Sequence, residues 1–356
     1  MTTRRLTVAT LITSTGIACA TAHAQWTVTN LHPAGPTASQ LRDANGTHQV
    51  GQTGVGGSTH AALWSGSAAS HIDLHPANAT SSHAWMVSGT QQVGQSTFNG
   101  ELHASLWTGS AASFINLNPA GAASSVAFGV RDGVQVGRAT FSGPAHAGIW
   151  SGSAASWIDL NPAGAANSIA YATHAGQQVG QASLGGVTRA SLWSGSAASW
   201  VDLNPAGAAQ SFAYGIADGQ QVGRALIGGV DHAALWAGSA ASFIDLHPAG
   251  SNQSRAVDVA EGWQAGYARF GAVEHASLWN STADSWEDLS LALTGSWGAT
   301  FAHGVWLDGT TLSVAGWGFN NDTGRNEALL WTRQIPAPAS AAILALPALA
   351  ALRRRR

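Results

Sequence analysis

Five histidines, His60, His103, His146, His232 and His275, hold one position in a sequence that repeats every 43 residues, and Arg189 and Glu327 hold it in two further copies. A ring of imidazoles suggests a transition metal, but its geometry opposes one. In a circular fold with strands about 4.8 Å apart, equivalent positions on neighbouring repeats lie roughly 15 Å apart, whereas zinc takes nitrogens at about 2.0–2.1 Å. These histidines are expected to form hydrogen bonds within their own repeat, and neither a metal nor another cofactor is expected. The Asp/Asn-Leu pairs at Asn30, Asp73, Asn116, Asp159, Asp202, Asp245 and Asp288 offer one side chain per repeat, short of the 6–8 oxygens that calcium prefers. No Ser-His-Asp ordering, metalloprotease helix or nucleotide loop stands out. Two carboxylates from different repeats could meet for glycoside chemistry, but charged residues are only 9% of the chain.

One position varies while its neighbours repeat: Arg42, Trp85, Phe128, Tyr171, Tyr214, Val257 and His303. The residue before it is Ala in six copies and Leu41 in the seventh. Alternation of bulky with small residues on a doubly covered sheet is expected to make this an interblade core position. The alternative is a ligand site near the axis built on Trp85, Phe128, Tyr171 and Tyr214.

The elements that carry these positions follow from the period. Trp64, Trp107, Trp150, Trp193, Trp236 and Trp279 are 43 residues apart, and Trp331 follows after 52; such a period marks a solenoid or a propeller. In one period the strand-like runs are Ser211–Ile216, Gln220–Leu226, His232–Gly238 and Ser242–Leu246, here called strands a, b, c and d. Asp-Gly, Gly-Gly and Pro-Ala-Gly breaks separate them; Gly there supplies positive φ, and Pro fixes φ. One period is therefore one four-stranded antiparallel blade. The chain enters on a d-type run, Thr27 to Pro33, and leaves on a c-type run, Glu327 to Thr332. Complementary half-blades predict an all-β, seven-bladed propeller over residues 25–333, closed by the N-terminal strand; an open solenoid would need polar caps instead.

Residues 1–24 carry Arg4-Arg5, an apolar run and Ala22-His23-Ala24 before Gln25, the layout of a signal peptide cleaved after Ala24. Residues 334–356 hold Pro336-Ala337-Pro338, an apolar stretch, and then Arg353, Arg354, Arg355 and Arg356. A terminal basic cluster on a hydrophobic segment fits the positive-inside pattern and predicts transient membrane contact. Between these segments nine arginines face 18 acidic residues, with no Lys, so nucleic acid is not an expected partner. The only cysteine, Cys19, falls in the leader, which removes disulfides and thiol chemistry from the mature chain.

The a–b–c–d order, with Gly-x-x-x-Gly-x-Gln-Val-Gly, His-Ala-x-x-Trp and Asp-Leu markers, resembles the HAF-type extracellular repeat of bacterial secreted proteins. Here Ala62, Ser105, Gly148, Ser191, Ala234, Ser277 and Leu329 replace the Phe of that family. The tail resembles a PEP-CTERM sorting signal with Ala337 in place of Glu. These resemblances imply an exosortase-type processing enzyme as partner, with an envelope or exopolysaccharide-matrix location. The resulting expectation is an exported, noncatalytic surface scaffold, with a lectin-like polysaccharide binder and a glycan-processing enzyme as alternatives. If the tail is processed, mass spectrometry of extracellular protein should find the peptide from Leu344 to Arg356 missing; an extracellular chain ending in its arginines would refute processing.

Overall fold

Each period folds into one antiparallel meander, and most of its a–b and b–c turns reverse the chain over two positions. In the fifth blade strand a is Gln210–Ala217, b is Gln220–Ile227, c is Val230–Trp236 and d is Ile244–Asp245. Asp218-Gly219 have φ of 51° and 78°, and Gly228-Gly229 have 59° and 86°. Positive φ at both central residues matches the twist of the flanking strands. The computed structural model describes residues 25–335 and contains seven such four-stranded sheets. The expected cleavage residues Ala22 and Ala24 and the sorting residues Pro336, Pro338, Arg353, Arg354, Arg355 and Arg356 lie outside the described residues; Gln25 is exposed before the first strand. No helix among the described residues is long and apolar enough to cross a membrane.

The outer strand is shorter than its sequence suggests. Ser242–Leu246 reads as a strand, yet only Ile244–Asp245 pair, because Ser242 closes a 3-10 turn over Ala240–Ser242. Its hydroxyl donates to the Ser239 carbonyl at 2.6 Å and accepts from Ala237 N–H at 2.8 Å. Beyond the strand, Asp245 accepts from His247 N–H at 2.9 Å. Local side-chain bonds of this kind compete with the ladder.

The ring closes as expected. Thr27–Asn30 pairs antiparallel with Arg325–Gln334, with Thr27 opposite Thr332 and Asn30 opposite Leu329. The closing strand is pinned by Asn30 donating to Glu327 at 2.6 Å and Trp26 donating to Glu287 at 2.6 Å. Burial works against the Glu327 charge, but bonds from Asn320, Arg325, Thr323 and Asn30 hold its pKa at about 2. Every blade has an equivalent clamp between strands c and d, made by His60–Asp73, His103–Asn116, His146–Asp159, Arg189–Asp202, His232–Asp245 and His275–Asp288 at 2.5–2.9 Å. The repeated histidines thus work within their blades.

Blades meet through apolar packing and one recurring hydroxyl. All seven strand-c tryptophans have no solvent exposure, and each reaches into the preceding blade, as Trp236 does against Leu192 and Leu203. The buried Ser211 hydroxyl at the head of strand a accepts from Ala190 N–H of the preceding blade at 2.9 Å. Ser82, Ser125, Ser168, Ser254, Thr300 and Ser39 repeat this bond at 2.8–2.9 Å, the last joining the seventh blade to the first. Deleting Thr27 to Leu31 should leave an open sheet edge and remove buried Leu31, lowering the melting temperature and promoting aggregation; unchanged thermal unfolding would contradict closure.

Candidate functional site: the axial cavity

The innermost strands do not pair with strand b in one continuous register. In every blade the pairing slips by one residue, between Leu41 and Asp43, Ala84 and Met86, Ala127 and Gly129, Ala170 and Ala172, Ala213 and Gly215, Ala256 and Asp258, and Ala302 and Gly304. The extra residue is each time the variable one. A bulge places two residues opposite one and turns a side chain off the sheet. The Gly of Gln-Val-Gly makes room for it: a Cβ on Gly223 would lie 1.8 Å from the Phe212 carbonyl oxygen.

Seven bulges deliver all seven variable side chains, Arg42, Trp85, Phe128, Tyr171, Tyr214, Val257 and His303, to the wall of one cavity of about 280 Å³. They are half-buried. The expectation that this position packs between blades is thereby corrected; that role belongs to the preceding residues, Leu41, Ala84, Ala127, Ala170, Ala213, Ala256 and Ala302, which have no exposure. Trp85, Phe128, Tyr171 and Tyr214 form a continuous aromatic arc, with successive ring centroids 6.2, 5.4 and 5.4 Å apart.

The next residue along strand a forms a waist. Asp43, Met86 and Asp258 line both this cavity and a second, wider one of about 700 Å³ towards the a–b turns. Backbones crowd there: a Cβ on Gly304 would lie 2.8 Å from Asp43 Oδ1, and one on Gly129 would lie 2.6 Å from the Tyr171 carbonyl oxygen. Small residues at Gly129, Ala172, Gly215 and Gly304 make space for two carboxylates and a thioether.

Those carboxylates are held and tuned by the fold. Asp43 Oδ2 accepts from Val87 N–H at 2.8 Å, and Asp258 Oδ2 accepts from Val305 N–H at 2.9 Å. Burial pushes Asp258 up to about 6 despite these bonds and the Arg131 charge. Burial, and then the Asp258 charge, raises Asp43 well above the usual carboxylate range. Both carboxyls thus hold their protons to higher pH than a solvated aspartate, and a charge on Asp258 favours the proton on Asp43. Nearby, His303 Nε2 accepts from Arg42 and Trp317, both at 3.2 Å. Burial, then Arg42, holds His303 neutral with a pKa well below its ordinary value.

Two carboxyls with raised proton affinity on the lining of one cavity are groups suited to exchange protons with a ligand bound there. Neither Asp43 nor Asp258 was singled out by sequence reasoning, although their column offered a signal: it is Gly, Ala or Met in the other blades. Among the described residues, no group of three or more His, Cys, Asp or Glu is placed to hold a metal ion.

No protein-family model matches the chain, and no curated protein matches it. Solved structures do match. Puromycin hydrolase is similar at 14% identity and a TM-score of 0.56, over 82% of this chain and 53% of that one. Oligogalacturonate lyase in complex with manganese is similar at 8% identity and a TM-score of 0.53, over 87% of this chain and 97% of that one. The β-propeller domain of the Trilobed protease from Pyrococcus furiosus, which has an open velcro topology, is similar at 9% identity and a TM-score of 0.52, over 87% and 99%. The chain spans about half the length of the puromycin hydrolase. At these identities the likeness shows the fold alone. The expectation of a noncatalytic scaffold is corrected: the three structures named come from a hydrolase, a lyase and a protease, so this fold does not favour a scaffold over an enzyme.

Separating wall from core gives a direct check. Replacing Trp193, fully buried, by Ala should cost about 3–5 kcal/mol, while Tyr214→Ala in the cavity wall should cost clearly less. Equal losses in chemical denaturation would return the variable position to the core.

Proposed function

We propose that this chain is a glycan-processing enzyme, a glycoside hydrolase whose reaction centre is the axial waist. The observation that carries the reading is the placement of Asp43 and Asp258, which the fold brings from the first and sixth blades to one cavity with both proton affinities raised. Ionised Asp258 takes a proton from water as the water oxygen attacks the anomeric carbon. Protonated Asp43 gives its proton to the departing glycosidic oxygen, and the elements of water are divided between the two products. The aromatic arc offers flat apolar faces to sugar rings. The likeness to oligogalacturonate lyase along nearly its whole length supports a saccharide as substrate. The manganese of that lyase finds no matching ligand group among the described residues, and no step here runs through a metal.

We further propose that the enzyme works in the cell envelope or exopolysaccharide matrix as an HAF-type repeat protein. Residues 1–24 would export it. The PEP-CTERM-like tail would hold it briefly at the membrane until an exosortase-type enzyme removes it.

Reducing-sugar release from a panel of bacterial exopolysaccharides and plant glycans tests the catalytic reading. Asp43→Asn and Asp258→Asn should each lower turnover by about 10²–10⁴-fold with folding retained. The rate should follow a bell, falling below about pH 6 as Asp258 takes up its proton and falling again where Asp43 loses its own. Turnover that survives both substitutions would place the chemistry elsewhere.

A further inference from the structure

We propose that the aromatic end of the axial cavity is an anion site anchored by Arg42, and that the saccharide bound there carries a carboxylate on its ring. This rests on the catalytic reading above and names its substrate class. Arg42 is a bulge residue in the cavity wall and, like Arg131 and Arg138, makes no ion pair among the described residues, whereas Arg189, Arg224, Arg255, Arg269, Arg325 and Arg333 each have an acidic partner; of the three unpaired arginines, Arg42 alone lines this cavity. Its Nη2 donates to Gln40 Oε1 at 2.9 Å, its Nη1 donates to His303 Nε2 at 3.2 Å, and its buried Nε has no partner. Both acceptors are neutral. They fix the guanidinium plane without discharging it, and the Trp85 ring 5.2 Å away completes the cradle.

A guanidinium taken out of water without a counter-charge is costly, and a ligand anion is the usual remedy. The cost is visible in the Arg42 pKa, which burial draws down to about 10. Arg255, on the same cavity wall, shares the single carboxylate of Asp231 with Arg224, leaving one cation in excess beside Arg42; the Asp258 carboxyl lies on the same lining at the waist. This concentration is local, because the chain between its terminal segments carries twice as many acidic residues as arginines. The planar fork of Arg42 suits a carboxylate, and the aromatic arc beside it suits a sugar ring. A carboxylate-bearing sugar matches both, and a sugar bound in this cavity lies next to Asp43 and Asp258, which line it too.

Isothermal titration calorimetry of the full chain with trigalacturonate and with its methyl ester tests this, because esterification removes the charge and keeps the shape. The unmodified protein should prefer the acid form by on the order of tenfold or more. Arg42→Gln should abolish the preference, while Arg269→Gln, outside the cavity, should keep it; thermal unfolding checks that the variants fold. Equal affinity for acid and ester in the unmodified protein, which requires no variant, would overturn the anion site, as would a preference that survives Arg42→Gln. Processing of neutral glycans without acid preference would leave the catalytic reading standing and remove this one. Arg42-dependent selectivity for the acid form without turnover would do the reverse.

Discussion

Seven strands converge on one axis, and the room left between them governs the rest of the molecule. At the waist a Cβ on Gly129, Gly215 or Gly304 would lie 2.6–2.9 Å from a neighbouring blade. Small residues there are a condition of closing the ring. Each bulge depends on a second absence of volume, the strand-b glycine opposite it, as at Gly223. Where the repeat keeps these glycines, it can exchange the bulged side chain freely, since that side chain points into a cavity. Variation at one column and constancy at its neighbours thus have a single steric cause.

The same crowding sets the electrostatics. A carboxylate at the waist is surrounded by backbone and shielded from water, so its proton is retained to higher pH. Asp258 titrates at about 6 against 3.8 for an ordinary aspartate. Its raised value means that its contribution to stability is full below pH 3.8 and is lost as pH rises through about 6. Glu327 has the opposite sign: held at about 2 against 4.5 by four hydrogen bonds, it stabilises ring closure above pH 4.5 and loses that contribution as pH falls. The closing seam is built for neutral pH, while the axis bears a cost there. A buried charge kept at a cost in the middle of a cavity is the pattern expected of a working site.

Much of this architecture was legible in the sequence. The tryptophan period gave blade number, and the half-blades at Thr27 and Glu327 gave ring closure, because both depend on residue type and spacing alone. The bulges were hidden, since a bulge is a slip between two paired strands and the variable residue looks like any other alternating position. Tyr171 and Tyr214 were accordingly expected in the core. The short outer strand was hidden too, because Ser242 diverts the backbone by bonds its apolar pattern does not encode. Asp43 and Asp258 stood in plain view as carboxylates in a column of Gly, Ala and Met. Only the circular fold shows that residues so far apart along the chain share one cavity.

Titration of side-chain carboxyl carbons by NMR, assigned with Asp43→Asn and Asp258→Asn, tests the central claim most directly. The account predicts one axial carboxyl, that of Asp258, titrating near pH 6, with Asp43 still protonated after Asp258 has ionised. Two axial carboxyls titrating together near pH 4, as ordinary solvated aspartates do, would contradict it.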